Sequence, residues 1–448
     1  MLSAESFLTA SLRRIPDGQA IARILAASIQ AVEPSAAVER FVSRSGDGLK
    51  VAGRVYQLSS FRKVCLLGIG KAAPAMSMRL AGILGERLDG GLVITKHAPA
   101  LPDLPFPILE GGHPVPDGRS LEAGLRVLEY VSALGPEDLL FCLISGGGSA
   151  LVAAPVEPVS LDELQVVTSA LLASGRGIEE VNCLRRHLDR LKGGGLVRQA
   201  NGATIVSLIL SDVVGNRLEA IASGPTAPDP STRQDALALL EAEEMRDQIP
   251  GSIREAISQA PETLKPGDQA FGKVQNIIVG SGLLAAQGAL TQAAEEGFHP
   301  YLLRIDLQGE ASQAAFELAT CLRQAKRTGE PVSRPACIVA GGETTVTLHG
   351  QGKGGRNTEL ALAAVTELAD FPEVMLVSLA TDGEDGPTDA AGAVVTGESY
   401  RRARELHLSP DDSLARNDSY HFFAELDDLL KPGPSGTNVN DLVFLFAL

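Results

Sequence analysis

Short runs of β-branched and leucine side chains recur along this chain, separated by longer alanine-rich stretches whose apolar positions repeat with a helical period. The runs are Val64 to Gly68, Gly91 to Thr95, Leu139 to Ile144, Ile205 to Leu210, Asn276 to Val279, Ala336 to Val339 and Met375 to Leu379. Most are continuous apolar runs with no alternating polar face, which is the pattern of strands covered on both sides. The amphipathic stretches between them predict the crossover helices of parallel βαβ units. An α/β class follows. Pro250, Gly251, Pro261, Pro266, Gly267 and Gly272 punctuate a stretch with little strand character, which places a domain boundary near residues 260 to 272. The expectation is one domain over residues 1–265 and a second over 266–448, with its own sheet from Gln275 onward, closing on the apolar Val443 to Leu448.

Composition narrows the classes of function. The 448 residues, 44% of them hydrophobic, suffice for two or three packed domains. With 39 basic against 55 acidic residues the net charge is −16, which repels polyanions, and 4% aromatics with no Trp leaves few stacking platforms for bases. Nucleic acid is therefore not expected as a partner. Cys65, Cys142, Cys183, Cys321 and Cys337 form no C-x-x-C pair and mostly sit in apolar runs, as free thiols in a reducing compartment do. No apolar segment has the length of a signal peptide or a membrane span, so the expected location is cytoplasmic.

Glycine loops carry the candidate chemistry. Gly68-Ile69-Gly70-Lys71 follows a strand and opens an alanine-rich helix, so its amides and the helix dipole face an anion that Lys71 can neutralise. It has neither Walker A spacing nor a full G-x-G-x-x-G, because position 73 is Ala, and a glycine turn with a surface lysine reads equally well. Ser145-Gly146-Gly147-Gly148-Ser149 ends another strand, where ligands bind in doubly wound folds. Its serines lack the G-x-S-x-G elbow of a hydrolase nucleophile, and a tight turn is the plain alternative. Lys192 ends a basic helix before three glycines, a natural C-terminal cap, and reaches the same phosphate region if the loops converge. Asp212 follows the strand Ile205 to Leu210 and suits either a proton acceptor or a metal ligand, with a turn cap as the plain reading.

In the second half, Gly341-Gly342-Glu343-Thr344 ends a strand, and Gly354-Gly355-Arg356-Asn357 precedes an amphipathic helix. A guanidinium at a helix N-terminus is electrostatically unfavourable unless an anion lies between them, which marks Arg356 as part of an anion site. Asp382, Glu384, Asp385 and Asp389 put four carboxylates in eight residues at a strand end, hard donors that suit Mg²⁺, with Asp382 and Asp385 as the expected ligands. An EF-hand is excluded, since the twelfth position from Asp382 is Ala393. The loop Gly433 to Asp441, with Asn438, offers amides and hydroxyls to a small polar substrate. No H-x-x-H or H-x-x-x-H pair occurs, so zinc is not expected.

Taken together, GIGKAAPAM, EGGHPVPDGRS, LISGGGSALVAAP, LRRHLDRLKGGGL, SDVVGNRLEAIASGPTAPDP, GGETTVTLHGQGKGGRNTELALA, LATDGEDGPTDAAGA and PSGTNVNDL resemble, in collinear order, the class II glycerate kinases with a C-terminal MOFRL domain. The resemblance runs from about Ala20 to the C-terminus, with the MOFRL region at about 335–445. It implies ATP- and Mg²⁺-dependent phosphorylation of D-glycerate, usually at the 2-hydroxyl, by a Rossmann-like N-terminal domain and a smaller α/β C-terminal domain with the active site in the cleft between them. Lys71 and Arg356 match the residues taken as catalytic in that family. Asp212 is then the candidate base, Gly68, Gly70, Ser145 to Ser149, Lys192, Gly354, Gly355, Asn357 and Asn438 are candidate nucleotide or substrate contacts, and Asp382 with Asp385 are the metal ligands. The family's SDVxGD reads Ser-Asp-Val-Val-Gly-Asn here, which removes a metal role from Asn216. Self-association is left open. The alternatives are a kinase that forms 3-phosphoglycerate, a non-catalytic nucleotide-binding regulator, and an NAD(P)H-dependent hydroxypyruvate reductase, against which stands the incomplete dinucleotide fingerprint.

Overall fold

The computed structural model describes every residue except Met1 and residues 99–105, 174–176 and 242–248. Among the described residues no single helix is long and apolar enough to cross a membrane. The chain divides into two compact units, one of Ala37–Val279 and one joining Met1–Ala36 to Gly280–Leu448.

The 37–279 unit opens with a small antiparallel sheet of β1 (Val42–Ser45), β2 (Gly48–Val51) and β3 (Arg54–Gln57). Its main sheet holds β4 (Val64–Ile69), β5 (Gly90–Thr95), β6 (Ile108–Glu110), β7 (Leu139–Ile144), β8 (Thr204–Leu210) and β9 (Val274–Gly280) in the order β6-β5-β4-β7-β8-β9. The pairings from β6 through β8 are parallel, as the apolar runs predict. Every residue of β4 and β7 is buried, because helices cover both faces. The chain leaves β4 toward β5 and β6, then returns to β7 on the other side of β4. The carboxyl ends of β4 and β7 therefore flank the topological switch point, where doubly wound sheets bind ligands.

The other unit holds β10 (His299–Leu307), β11 (Ala336–Gly342), β12 (Val374–Ala380), β13 (Gly392–Thr396), β14 (Leu429–Leu430) and β15 (Asp441–Ala447) in the order β10-β11-β15-β12-β13-β14. Its core packs the helices Ala311–Thr328 and Arg356–Glu367 on the sheet through Leu318, Leu322, Leu360 and Val365. The helix Gly18–Gln30 lies against Gly282–Glu295, where a side chain on Gly288 would come within 2.4 Å of the Ala31 Cβ. Arg23 pairs with Glu296 at 2.6 Å on the same contact.

Two features depart from the sequence expectation. The strand at 274–280 edges the first sheet instead of opening the second, and the first 36 residues belong with the C-terminal half, so the units part near 36 and 279 instead of between 260 and 272. The second sheet is mixed: β15 runs antiparallel between β11 and β12. A strand buried on both faces shows the same apolar run whichever way it points, so periodicity carries no direction.

Candidate active site

At the switch point of the 37–279 unit, backbone bonds join the two loops. Ser145 N donates to Ile69 O at 2.9 Å, Lys71 N to Gly146 O at 3.1 Å, and Ala72 N to the Ser145 hydroxyl at 3.0 Å. Gly70, at φ +130°, allows this approach: a Cβ there would lie 2.2 Å from Ser145 Oγ. Gly68 serves the fold instead, admitting the Ser77 hydroxyl of the following helix at 2.6 Å from where its Cβ would be. The Gly146 and Gly147 amides donate to no acceptor among the described residues, as an anion-binding loop requires.

Three side chains surround that loop. A Cβ on Gly146 would meet Asp212 Oδ2 at 2.2 Å, and one on Gly147 would meet the His113 imidazole at 3.1 Å and Lys71 Cε at 3.4 Å. The Lys71 side chain is exposed, and among the described residues its ammonium makes no ion pair. Burial first, and the nearby Lys71 and Lys96 charges second, push His113 down to about 4, so it is neutral at pH 7. Ser149 shares a hydrogen bond with Ser223 at 2.8 Å. Lys192 is held elsewhere: its ammonium sits 2.9 Å from Asp189 Oδ2 in a pair 6% and 1% exposed. The helix-cap reading does not hold either, since the helix ends at His187 with Leu188 as its cap and Gly194 opens the next helix, Gly195–Gln199.

In the other unit, the loops after β11 and β12 and the loop before β15 converge. Arg356 begins the helix Arg356–Glu367, with its Nε on Asp441 Oδ2 at 2.5 Å, Nη2 on Asp441 Oδ1 at 3.2 Å and Nη1 on Glu343 Oε1 at 2.7 Å. These two carboxylates raise the guanidinium pKa against the opposing effect of burial. Burial pushes Asp441 up to about 6, with Arg356 opposing it. Asp441 lies in register opposite Gly342 and Ala380, which fixes the pair at the carboxyl ends of β11 and β12. Asn438 accepts from Asn440 N at 3.0 Å, and Thr381 Oγ1 donates to Asn440 O at 2.6 Å while accepting from Val439 N at 2.9 Å, tying the Asn438 loop beside Asp382.

The expected metal ligands separate here. Asp385 accepts from Asn357 N at 2.9 Å, Thr358 N at 2.8 Å and Thr358 Oγ1 at 2.8 Å, so it caps the helix. Gly355 makes room for it, since a Cβ there would lie 2.5 Å from Asp385 Oδ1, and Gly354 admits Ser419 Oγ in the same way. Asn357 is buried, its carbonyl accepting from Ser378 Oγ at 2.7 Å. Asp389 is bonded to the Tyr420 hydroxyl and Lys431, and among the described residues no three His, Cys, Asp or Glu side chains form a metal cluster. Sequence reading missed Asp441 and Glu343 as the partners of Arg356, because they stand 85 and 13 residues away.

Two α/β units, each with glycine loops and a basic side chain at the carboxyl ends of its central strands, define a phosphate-handling enzyme. Residues 20–258 match a family described as a domain of unknown function, DUF4147, and residues 336–441 match the MOFRL family. The chain is 38% identical over 427 residues to the glycerate 2-kinase of Pyrococcus horikoshii, covering 94% of this chain and 95% of that one. It is 41% identical over 382 residues to the D-glycerate 2-kinase of Thermotoga maritima, covering 85% and 90%. A solved glycerate kinase structure from Thermotoga maritima superposes with a TM-score of 0.85 at 39% identity, covering 95% of this chain and 98% of the other. The chain belongs to the class II glycerate kinase family.

Proposed function

We propose that this chain transfers the γ-phosphoryl group of ATP to the 2-hydroxyl of D-glycerate, giving 2-phosphoglycerate and ADP. The observation that carries the reading is the Lys71 ammonium, unpaired among the described residues, beside the Gly146 and Gly147 amides, which likewise donate to none of them, at the switch point of the parallel sheet. Phosphoryl transfer asks little covalent chemistry of a protein and much positioning and charge neutralisation. Lys71 and Arg356 are the proposed catalytic cations, each neutralising phosphate charge, and the Ser145–Ser149 loop orients the anion. Asp212, against Gly146, accepts the proton of the attacking hydroxyl. Asn438 orients substrate or phosphate from the loop beside Asp382.

Mg²⁺ fits this donor set only in the mode in which it arrives with the nucleotide, held by one or two carboxylates and by phosphate oxygens. Asp382 is the carboxylate that would hold it, since Asp385 is committed to the helix cap. The bound ion would neutralise charge on the β- and γ-phosphates.

The test is an ATP-coupled assay with D-glycerate, followed by phosphorus NMR of the product. The expected result is 2-phosphoglycerate. A 3-phospho product would overturn the site of transfer, and no turnover would overturn the kinase reading.

A further inference from the structure

The helix Ile178–His187 carries two consecutive arginines in opposite circumstances. Arg186 has Asp229 Oδ1 at 2.7 Å, the Glu219 carbonyl at 3.2 Å and the Ser231 hydroxyl at 3.0 Å. Arg185 is half-buried, and among the described residues no carboxylate, carbonyl or hydroxyl bonds its guanidinium. Burial alone acts on its charge, holding its pKa below the ordinary arginine value. A guanidinium carries five donors, and withdrawing it from water without acceptors is unfavourable in the folded state. In a chain with 55 acidic residues a permanent partner was readily available, yet among the described residues none is supplied.

Its neighbours connect this helix to the glycine loop. Asn182, three residues earlier and so on the adjoining helix face, bonds Ser223 Oγ at 3.2 Å, and Ser223 bonds Ser149 Oγ at 2.8 Å. Ala222 and Ser223 hold left-handed φ of 50° and 60°, a strained turn of the kind kept where function requires it. A Cβ on Gly148 would lie 2.9 Å from that of Ala222, so the turn and the Gly146–Gly148 loop are packed together.

We propose that Arg185 is the specificity-determining residue that receives the carboxylate of the substrate, a small 2-hydroxy acid. The inference rests on the kinase reading above and deepens it. A planar guanidinium matches a carboxylate with two parallel hydrogen bonds, so it separates a hydroxy acid from an uncharged polyol or amide of the same size. It also leaves Lys71 and Arg356 to the phosphates.

Calorimetry of the full chain with D-glycerate, without nucleotide, tests it in the wild type and in Arg185→Gln and Arg185→Lys. Steady-state kinetics with D-glycerate and with uncharged glyceramide run alongside. Arg185→Gln is expected to weaken glycerate binding by about 100-fold, the scale of a lost charge-assisted pair, with KM for ATP within about twofold and the preference for glycerate over glyceramide lost. Because the guanidinium has no partner to lose, the unliganded thermal midpoint stays level or rises, whereas Arg186→Gln lowers it. Unchanged glycerate affinity, an equal rise in KM for ATP, or a clear fall in the unliganded midpoint each overturns the proposal. If Arg185→Gln does not fold, Arg185→Lys, which keeps the charge and loses the planar fork, carries the same comparison. Glycerate binding that depends on Arg185 without phosphoryl transfer would sink the kinase reading and leave this one standing. Normal turnover with Arg185-independent binding would do the reverse.

Discussion

Lys71 lies two residues before the helix Ala73–Leu84 and Arg356 opens the helix Arg356–Glu367, each of 12 residues, yet the two cations keep different company. The Lys71 ammonium is exposed and unpaired among the described residues, whereas Arg356 is forked onto Asp441 and held on its other edge by Glu343. One cation is available to an anion at once. The other is fixed in orientation, and a phosphate must compete with two carboxylates for it. On the proposed reading, identical formal charge gives two elements: an exposed counter-charge and one whose orientation is already fixed.

The largest effect that tests this contrast is on turnover. Lys71→Ala is expected to lower kcat by at least about 100-fold, the scale of deleting one preorganised donor, while a urea melt shows stability unchanged. Arg356→Ala should cost a similar factor in kcat and also lose about 2 kcal/mol of stability, because Asp441, 9% exposed, is left without its counter-charge. The guanidinium is 32% exposed, which keeps that loss below the cost of breaking a fully buried pair. Equal stability of the two variants would break the comparison.

A smaller effect separates cap from metal site. Asp385→Asn should cost about 1–2 kcal/mol through the weakened bonds to Asn357 N and Thr358 N, with the Mg²⁺ dependence of turnover unmoved. A raised Mg²⁺ requirement would return Asp385 to the ligand set. The smallest effect concerns Glu359, in the first turn of the Arg356 helix, which burial pushes up to about 7. Between its ordinary value of 4.5 and 7 the folded state keeps a proton that the unfolded chain has released. Stability therefore falls as pH rises through that window, and the penalty is complete above 7. Glu359→Gln should raise the melting midpoint at pH 8 and leave it nearly unchanged at pH 4. A gain of equal size at both pH values would contradict the assignment.

The strands beneath the Lys71 loop were legible because most are continuous apolar runs, and the parallel order follows from the helices between them. The Arg356 region was legible only in part. Its loop showed as Gly354-Gly355-Arg356, but the guanidinium's partners lie far along the chain, and pairing at such separations is decided by the sheet. Asp385 misled for a related reason: a carboxylate at a strand end looks the same in sequence whether it faces a cation or the amides of a helix 27 residues earlier. Arg185 is not marked out in sequence among Arg185, Arg186 and Arg190, since only packing shows that Arg186 is paired while Arg185, among the described residues, is not.

The central position of β15 sets an order on biosynthesis. Residues 441–447 fill the gap between β11 and β12, and Met1–Ala36 join the same unit, so that unit cannot close its sheet until translation has passed residue 447. Residues 37–279 have all left the ribosome well before then and can complete their own sheet while the earliest segment waits. Residues 441–447 are thus the last strand of that unit to be placed, and a nascent chain stalled short of β15 would hold one finished unit and one open one.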